Sequence, residues 1–143
     1  MIDPALSIRE AKVTDVAPLQ QFLRPFVAAK HILPRSDEDL AVLIRHGFVA
    51  VREAEIVGFA AIEIYSRKLA EVQSLAVATE WQRQGLGLAL VQHCVDRATS
   101  EGVLELMAIT ASENLFRSAG FDYSLPNQKR ALFIQTRETD PHE

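Results

Sequence analysis

The sequence predicts one mixed α/β domain whose central sheet is largely antiparallel in its first half. Apolar residues recur at helical spacing in some segments and at every second position in others, so both helices and strands are expected. The segments follow the order β-α-α-β-β-β-α-β-α-β, in which short turns join three successive strands. With 143 residues, 48% of them hydrophobic, the chain can bury one core, and we expect a single domain over residues 1–143.

The first third of the chain predicts a strand and two helices. Residues 6–9 have the pattern of a short strand, and Thr14-Asp15 caps a helix that Pro25 should end or kink. A capping box at residues 36–39 opens the second helix, which Gly47 closes. The apolar residues at helical spacing are Val16, Leu19, Phe22, Leu23 and Phe26 in the first helix and Leu40, Leu43 and Ile44 in the second.

Three strands follow these helices. Residues 48–52 and 56–65 are β-branched and apolar runs joined by a short turn, and residues 69–77 form the next strand. Two-residue alternation places Glu71 and Gln73 on one face of that strand, so two polar side chains project together from a position near the middle of the sheet. The opposite face carries Ala70, Val72 and Ser74.

The second half of the chain alternates between helices and strands. Residues 82–87 form a loop that opens a helix, and Gly102 ends that helix. Residues 103–109 predict a strand, and residues 112–119 predict a short helix that stops at Gly120. Residues 131–136 predict the last strand. The stripe that the long helix turns toward the core consists of Leu90, Val91, Cys94, Val95 and Ala98.

Charge and composition exclude several functional classes. A net charge of -4 and the absence of a Lys/Arg run argue against a nucleic-acid partner. The first residues lack the pattern of a signal peptide, and no run of about eighteen apolar residues occurs, so we expect a cytoplasmic protein without a membrane partner. Cys94 is the only cysteine, which excludes intrachain disulfides, and its place on the apolar stripe of a predicted helix favours a buried, inert thiol. The histidines show no ligand spacing, so we expect no metal.

The segment from Glu71 to Gly87 carries the clearest chemical signal. A strand leads into a glycine-containing loop at the start of a helix, where unpaired N–H groups and the helix dipole favour an anion such as a pyrophosphate. Gly85 and Gly87 let the backbone approach a phosphate, and Arg83 adds charge. The same pair of glycines also fits an ordinary tight turn. A dinucleotide fold would require a third glycine where Leu90 stands.

Neighbouring segments give this loop a family context. The pattern Gln-x-x-Gly-x-Gly is preceded by residues 74–77 and followed by Leu-Phe-Arg-Ser-Ala-Gly-Phe at 115–121, and the whole resembles the GCN5-related N-acetyltransferases (GNAT). The resemblance implies the GNAT fold, with a sheet split between strands 4 and 5, and acetyl-coenzyme A as co-substrate. It places the pantetheine arm along Leu75, Ala76 and Val77. It places the pyrophosphate on the amides of Gln82, Arg83, Gln84, Gly85, Leu86 and Gly87.

A closer likeness concerns the acceptor side. Segments 8–11, 32–36, 69–72 and 125–126 resemble the acetyltransferase domain of bacterial N-acetylglutamate synthases, without room for the amino-acid kinase domain that many of them carry. The likeness implies an amino-acid acceptor, with glutamate as the first candidate. Its two carboxylates and backbone would be held by Arg9, Lys68, Ser112 and Arg137. Three of the four also have an ordinary alternative: a solvated lysine for Lys68, a tail arginine for Arg137 and a helix cap for Ser112.

The catalytic base is expected to be Glu71, since an amine attacks a thioester only in its neutral form. An amide near Leu75 or Val77 would serve the developing oxyanion. Glu71 could instead pair with a neighbouring cation. Gln73 stands where many of the synthases carry arginine and Phe116 where many acetyltransferases carry a general-acid tyrosine, so the proton donor to the thiolate is unassigned.

Direct transfer is expected, because no nucleophile and base can be identified beside the loop. His93 and Cys94 are adjacent on a helix and do not face each other. Two alternatives stay open: a module that binds coenzyme A without catalysis, and an enzyme for another amine, such as a polyamine, a protein N-terminus or an antibiotic. Arg9, Arg35, Lys68 and Arg137 would make the cleft basic, which disfavours a cationic acceptor. The sequence leaves a homodimer open.

Overall fold

A computed structural model describes residues 5–138 of the chain. Its elements follow the predicted order as far as the short helix at Glu113–Ser118. Short 3-10 turns at Val13–Asp15, Ile44–His46 and Thr79–Trp81 precede α1, β2 and the loop before α3, respectively. The helices and strands are β1 Leu6–Glu10, α1 Val16–Ala28, α2 Asp37–Leu43, β2 Gly47–Arg52, β3 Glu55–Ile64, β4 Leu69–Val77, α3 Leu86–Ser100, β5 Glu105–Met107 and α4 Glu113–Ser118.

The five strands of the described chain form one sheet in sequence order. β1 to β4 pair antiparallel, with short turns joining β2, β3 and β4 and the two helices α1 and α2 joining β1 to β2. β5 pairs parallel to β4 after the crossover through α3. This mixed, mostly antiparallel sheet agrees with the predicted fold class. Helices α3 and α4 cover one face, and α1 and α2 cover the other, so each face has its own apolar core.

Strand β4 contains a bulge at Ser74 that the sequence pattern does not reveal. Ser74 has a φ of 59°. Ala61 of β3 lies opposite Gln73 and Phe59 lies opposite Ala76, so β4 has one residue more than β3 between these two pairs. The predicted alternation therefore holds only as far as Gln73. Beyond the bulge Leu75 and Val77 pack on the α3 side with Ala70 and Val72, whereas Ala76 packs on the α1 side.

Pro25 does not end the first helix, one of the two outcomes predicted for it, whereas the second helix closes at Gly47 as predicted. Pro25 lies inside α1, which continues to Ala28, because the proline carbonyl still accepts the N–H of Ala29 at 3.0 Å. Proline removes only its own N–H donor from the helix. The 3-10 turn at Ile44–His46 continues α2, and Gly47 is its C-cap as well as the first residue of β2.

The C-terminal strand predicted at residues 131–136 is not formed, and β5 is shorter than predicted. A strand requires a hydrogen-bonded neighbour, and within residues 5–138 the ladder of β5 involves β4 alone. The apolar side chains that suggested the last strand are largely exposed, with 91% for Leu132, 80% for Phe133 and 86% for Ile134. Apolar composition alone therefore does not specify a strand here.

Candidate functional site

The sheet opens between β4 and β5. β5 pairs with β4 only from Leu69 to Glu71 and ends at Met107, whereas β4 continues to Val77. On the β5 side, the β4 backbone from residue 72 to residue 77 therefore has no strand partner among the described residues. The split predicted between strands 4 and 5 is present, and Leu75, Ala76 and Val77 lie along its open edge.

The loop after β4 is held by its own glutamine side chains. Gln82 Nε2 donates to the carbonyl of Val77 at 3.0 Å, and Gln84 Nε2 donates to the carbonyl of Glu80 at 3.1 Å. Two residues of the loop adopt positive φ, Arg83 at 62° and Gly85 at 86°, and Gly85 is the N-cap of α3. Arg83 is exposed at the rim.

The amides of this loop are available to an anion. The first N–H of α3 to bond inward is that of Ala89, which donates to the Gly85 carbonyl at 3.0 Å. In the described part of the chain, the N–H groups of residues 83–87 have no backbone acceptor. A fifteen-residue helix with unpaired N–H groups at its start is a suitable binding site for a phosphate.

Two residues of the loop also serve the core. The side chain of Leu86 is buried in the cluster under α3, so only its backbone can face a ligand. A Cβ on Gly87 would lie 3.2 Å from Leu115 Cδ1, so glycine at this position lets α3 and α4 pack closely. A Cβ on Gly85 would meet no atom within 4 Å, and there the positive φ is what requires glycine.

Glu71 is held by a tyrosine. Tyr65, just beyond β3, donates its hydroxyl proton to Glu71 Oε1 at 2.6 Å. Tyr65 is about half exposed. Its partial burial is the main cause that raises its pKa, and the neighbouring carboxylates of Glu71 and Glu63 raise it further. Tyr65 is therefore a protonated hydrogen-bond donor at neutral pH.

Gln73 and Arg35 extend this contact into a polar chain. Gln73 Nε2 lies 3.3 Å from Tyr65 Oη and 3.4 Å from Glu63 Oε2, and Arg35 Nη2 donates to Gln73 Oε1 at 3.0 Å. Arg35 Nε is buried and has no acceptor among residues 5–138. We call Arg35, Gln73, Tyr65 and Glu71 the polar chain.

Tyr65 was not among the site residues predicted from the sequence. The signal lay in the β3-β4 hairpin, whose register sets Glu63 opposite Glu71. Side chains of two paired strands that share a face lie close enough to interact. The polar face predicted for β4 from Glu71 and Gln73 therefore extends to Glu63 and Tyr65 at the end of β3.

Arg9, one of the residues predicted to bind the acceptor, is engaged with Asp15. Its two terminal nitrogens donate to the Asp15 carboxylate at 2.7 and 2.9 Å. The hydrogen bonds from Arg9 hold the pKa of Asp15 below its usual value, although burial acts in the opposite direction. The N–H of Lys12 also contributes to this lowering. Arg9 thus joins β1 to the start of α1, and its role toward an acceptor stays a prediction.

The other residues predicted to bind the acceptor lie in separate segments. Lys68 is exposed in the β3-β4 turn, where its N–H donates to Ser66 Oγ at 3.1 Å. Ser112 precedes α4 at the N-cap position, but its hydroxyl makes no capping bond. Arg137 lies in the exposed segment after α4 that has no regular secondary structure. Within the described chain neither Lys68 nor Ser112 is hydrogen-bonded to Glu71, so these roles also stay predictions.

The remaining candidates for nucleophile, acid or metal ligand are occupied elsewhere. Burial raises the pKa of Cys94 to about 12, so its thiolate is not present at neutral pH. His93 Nδ1 lies 2.9 Å from the Ala89 carbonyl, and Phe116 is buried edge-on against Phe121. Across residues 5–138 no group of three or more His, Cys, Asp or Glu side chains could hold a metal ion. None of the described helices is long and apolar enough to cross a membrane.

Comparison with protein families and relatives gives a consistent result. The model of the acetyltransferase (GNAT) family matches residues 17–121. An uncharacterized N-acetyltransferase from Chlorobaculum tepidum is 32% identical over 114 residues, which cover 80% of this chain and 74% of that protein. An amino-acid acetyltransferase from Pasteurella multocida is 28% identical over 93% of this chain, but the match covers 32% of that protein. The chain thus spans about a third of the length of the amino-acid acetyltransferases that it matches.

Two solved structures share the fold and differ in their ligands. N-acetylglutamate synthase from Neisseria gonorrhoeae, in complex with coenzyme A and N-acetyl-glutamate, superposes with a TM-score of 0.71 at 25% identity and covers 82% of this chain and 28% of that one. An aminoglycoside acetyltransferase from an uncultured soil metagenomic sample, in complex with trehalose, superposes with a TM-score of 0.70 at 27% identity and covers 96% of this chain and 100% of that one.

Proposed function

This chain belongs to the acetyltransferase (GNAT) family, and on that basis we propose that it transfers the acetyl group of acetyl-coenzyme A directly to the α-amino group of an amino acid, with glutamate as the first candidate. The observation that carries the amino-acid acceptor is the guanidinium of Arg35, which donates to Gln73 in a polar chain that ends on Glu71.

Acetyl-coenzyme A fits the groups around the opening in the sheet. The N–H groups of residues 83–87 would bind its pyrophosphate, with exposed Arg83 adding positive charge. The open edge of β4 at Leu75 and Val77 would pair with the amide groups of the pantetheine arm. When bound, the co-substrate supplies an acetyl group already activated as a thioester.

The polar chain can serve both ends of an amino acid. A guanidinium binds a carboxylate well because it offers several donors in one plane, and the Arg35 guanidinium lies in the same polar chain as Glu71. Glu71, held at one oxygen by Tyr65, can take a proton from the ammonium group at its other oxygen. The amine would then be neutral and able to attack.

A cationic amine is the second candidate acceptor. Glu63 and Glu71 lie opposite each other across β3 and β4, and two carboxylates favour a substrate that carries several positive charges. The similarity to an aminoglycoside acetyltransferase also supports this alternative. Arg35 opposes it, since a guanidinium in the same cluster repels a cation.

A thiol-release assay distinguishes these candidates. Purified protein would be incubated with acetyl-coenzyme A and, in turn, each proteinogenic amino acid, spermidine and an aminoglycoside. We expect thiol release with glutamate above that with spermidine and the aminoglycoside. Release with none of the acceptors, together with calorimetric binding of coenzyme A, would instead indicate a binding module.

A further inference from the structure

The direction of every hydrogen bond in the polar chain is fixed by chemistry. A guanidinium has no acceptor atom, so Arg35 must donate, and the atom of Gln73 that faces it must be the carbonyl oxygen. The amide nitrogen of Gln73 then faces Tyr65 and can only donate to its hydroxyl oxygen. The single proton of that hydroxyl is left for Glu71.

This direction has a consequence for Glu71. One carboxylate oxygen accepts the tyrosine proton at 2.6 Å, and no side chain or backbone donor among the described residues reaches the other. The tyrosine bond therefore restricts the rotation of the carboxylate and selects which oxygen is available to an amine. The other groups that face the chain are the carboxylate of Glu63, 3.4 Å from Gln73 Nε2, and Gln20, which donates to the Arg35 carbonyl at 2.7 Å.

We propose that Tyr65 is a positioning residue for Glu71, and that Gln73, which accepts from Arg35 and donates to Tyr65, directs the Tyr65 proton to Glu71. The inference rests on the proposed base role of Glu71. It also gives Gln73 a function, since an arginine at this position could not accept a hydrogen bond from Arg35.

The kinetic test uses a conservative pair of variants. Tyr65→Phe should lower kcat about tenfold, as expected for the loss of one charged hydrogen bond, with the KM for acetyl-coenzyme A unchanged. Tyr123→Phe removes the other tyrosine hydroxyl of the chain, which is bonded to Glu113 on α4, and should leave kcat unchanged. A normal kcat in Tyr65→Phe, or an equal loss in both variants, overturns the proposal.

A second measurement is independent of activity. In the Tyr123→Phe background Tyr65 is the only tyrosine, so the NMR signal of its ring carbon Cζ, next to the hydroxyl, reports the hydrogen bond at neutral pH. Glu71→Gln replaces the charged acceptor by a neutral one, and this signal should move. An unmoved signal would mean that Tyr65 does not contact Glu71. If the contact is confirmed but no acceptor turns over, the proposed function fails while the contact stands.

Discussion

Arg9 and Asp15 form a bidentate ion pair, in which both terminal nitrogens of the arginine donate to the buried carboxylate with N···O distances of 2.7 and 2.9 Å. The pair connects β1 to the first turn before α1. Because Asp15 also accepts the N–H of Lys12 at 2.7 Å, the carboxylate organises the whole junction. Arg9 therefore contributes to stability whatever its role toward a substrate.

Loss of this ion pair should destabilise the fold in a pH-dependent way. Arg9→Met should lower the free energy of unfolding by about 1 to 2 kcal/mol at neutral pH. This is at the low end for charged hydrogen bonds, because Arg9 is partly exposed and water screens the pair. The pKa of Asp15 is lowered in the folded protein, so this stability is present above the ordinary aspartate value, roughly 3.9, and disappears as pH falls further.

Urea unfolding at two pH values checks this prediction. Arg24→Met is the matched control, since Arg24 is an exposed arginine on α1 without an ion pair to a described residue. Equal destabilisation by both substitutions, or a difference that persists in acid, would contradict the assigned role of the pair.

The loop before α3 should be sensitive to any side chain at Gly85. Gly85→Ala should weaken coenzyme A binding at least tenfold, because a residue with Cβ disfavours the φ of 86° that presents the amides. Gly102→Ala is a close control: Gly102 has a φ of 73° and, like Gly85, open space where the added methyl group would lie, but it is beyond the far end of α3. Calorimetric titration compares the two, and equal affinities in both variants would remove the loop from the binding site.

Glu71→Gln keeps the shape of the side chain and removes its capacity to take a proton. We expect kcat to fall about a hundredfold while the affinity for coenzyme A is retained. Glu63→Gln, opposite it on β3, is the matched control and should have a smaller effect. Steady-state kinetics and calorimetry measure the two quantities separately. A rate within twofold of wild type would show that Glu71 has a structural role only.

Arg35 should determine acceptor affinity. Arg35→Met should raise the KM for glutamate by a factor consistent with the loss of about 1.5 to 3 kcal/mol of charged hydrogen bonding, and leave the KM for acetyl-coenzyme A unchanged. The effects of Arg9→Ala and Arg137→Ala on the same KM test the two arginines predicted from the sequence. An unchanged KM in Arg35→Met would mean that the carboxylate binds elsewhere.

The fold was predictable wherever local patterns decide the structure. The bounds of β4 match the prediction, and Ser36 Oγ accepts the N–H of Asp39 at 3.1 Å as a capping residue should. The family resemblance was equally readable from residues 74–87 and is confirmed by the family match. Patterns of this kind need only the neighbouring residues in the chain.

The parts that were missed depend on contacts between distant segments. A bulge at Ser74 cannot be read from serine, which is not a typical residue for positive φ. Arg9 pairs with a carboxylate that becomes buried only when α1 packs on the sheet, and Arg35 meets Gln73 across 38 residues of sequence. Such partners follow from the register and packing of the whole domain.

A competition experiment tests the central proposal most directly. Glutamate, glutamine and spermidine at equal concentration would be incubated together with limiting acetyl-coenzyme A and the protein, and the acetylated products quantified by mass spectrometry. We expect glutamate acetylated on its α-amino group to be the main product, and Arg35→Met to abolish this preference. Acetylated spermidine as the main product of the unaltered protein would contradict the amino-acid acceptor.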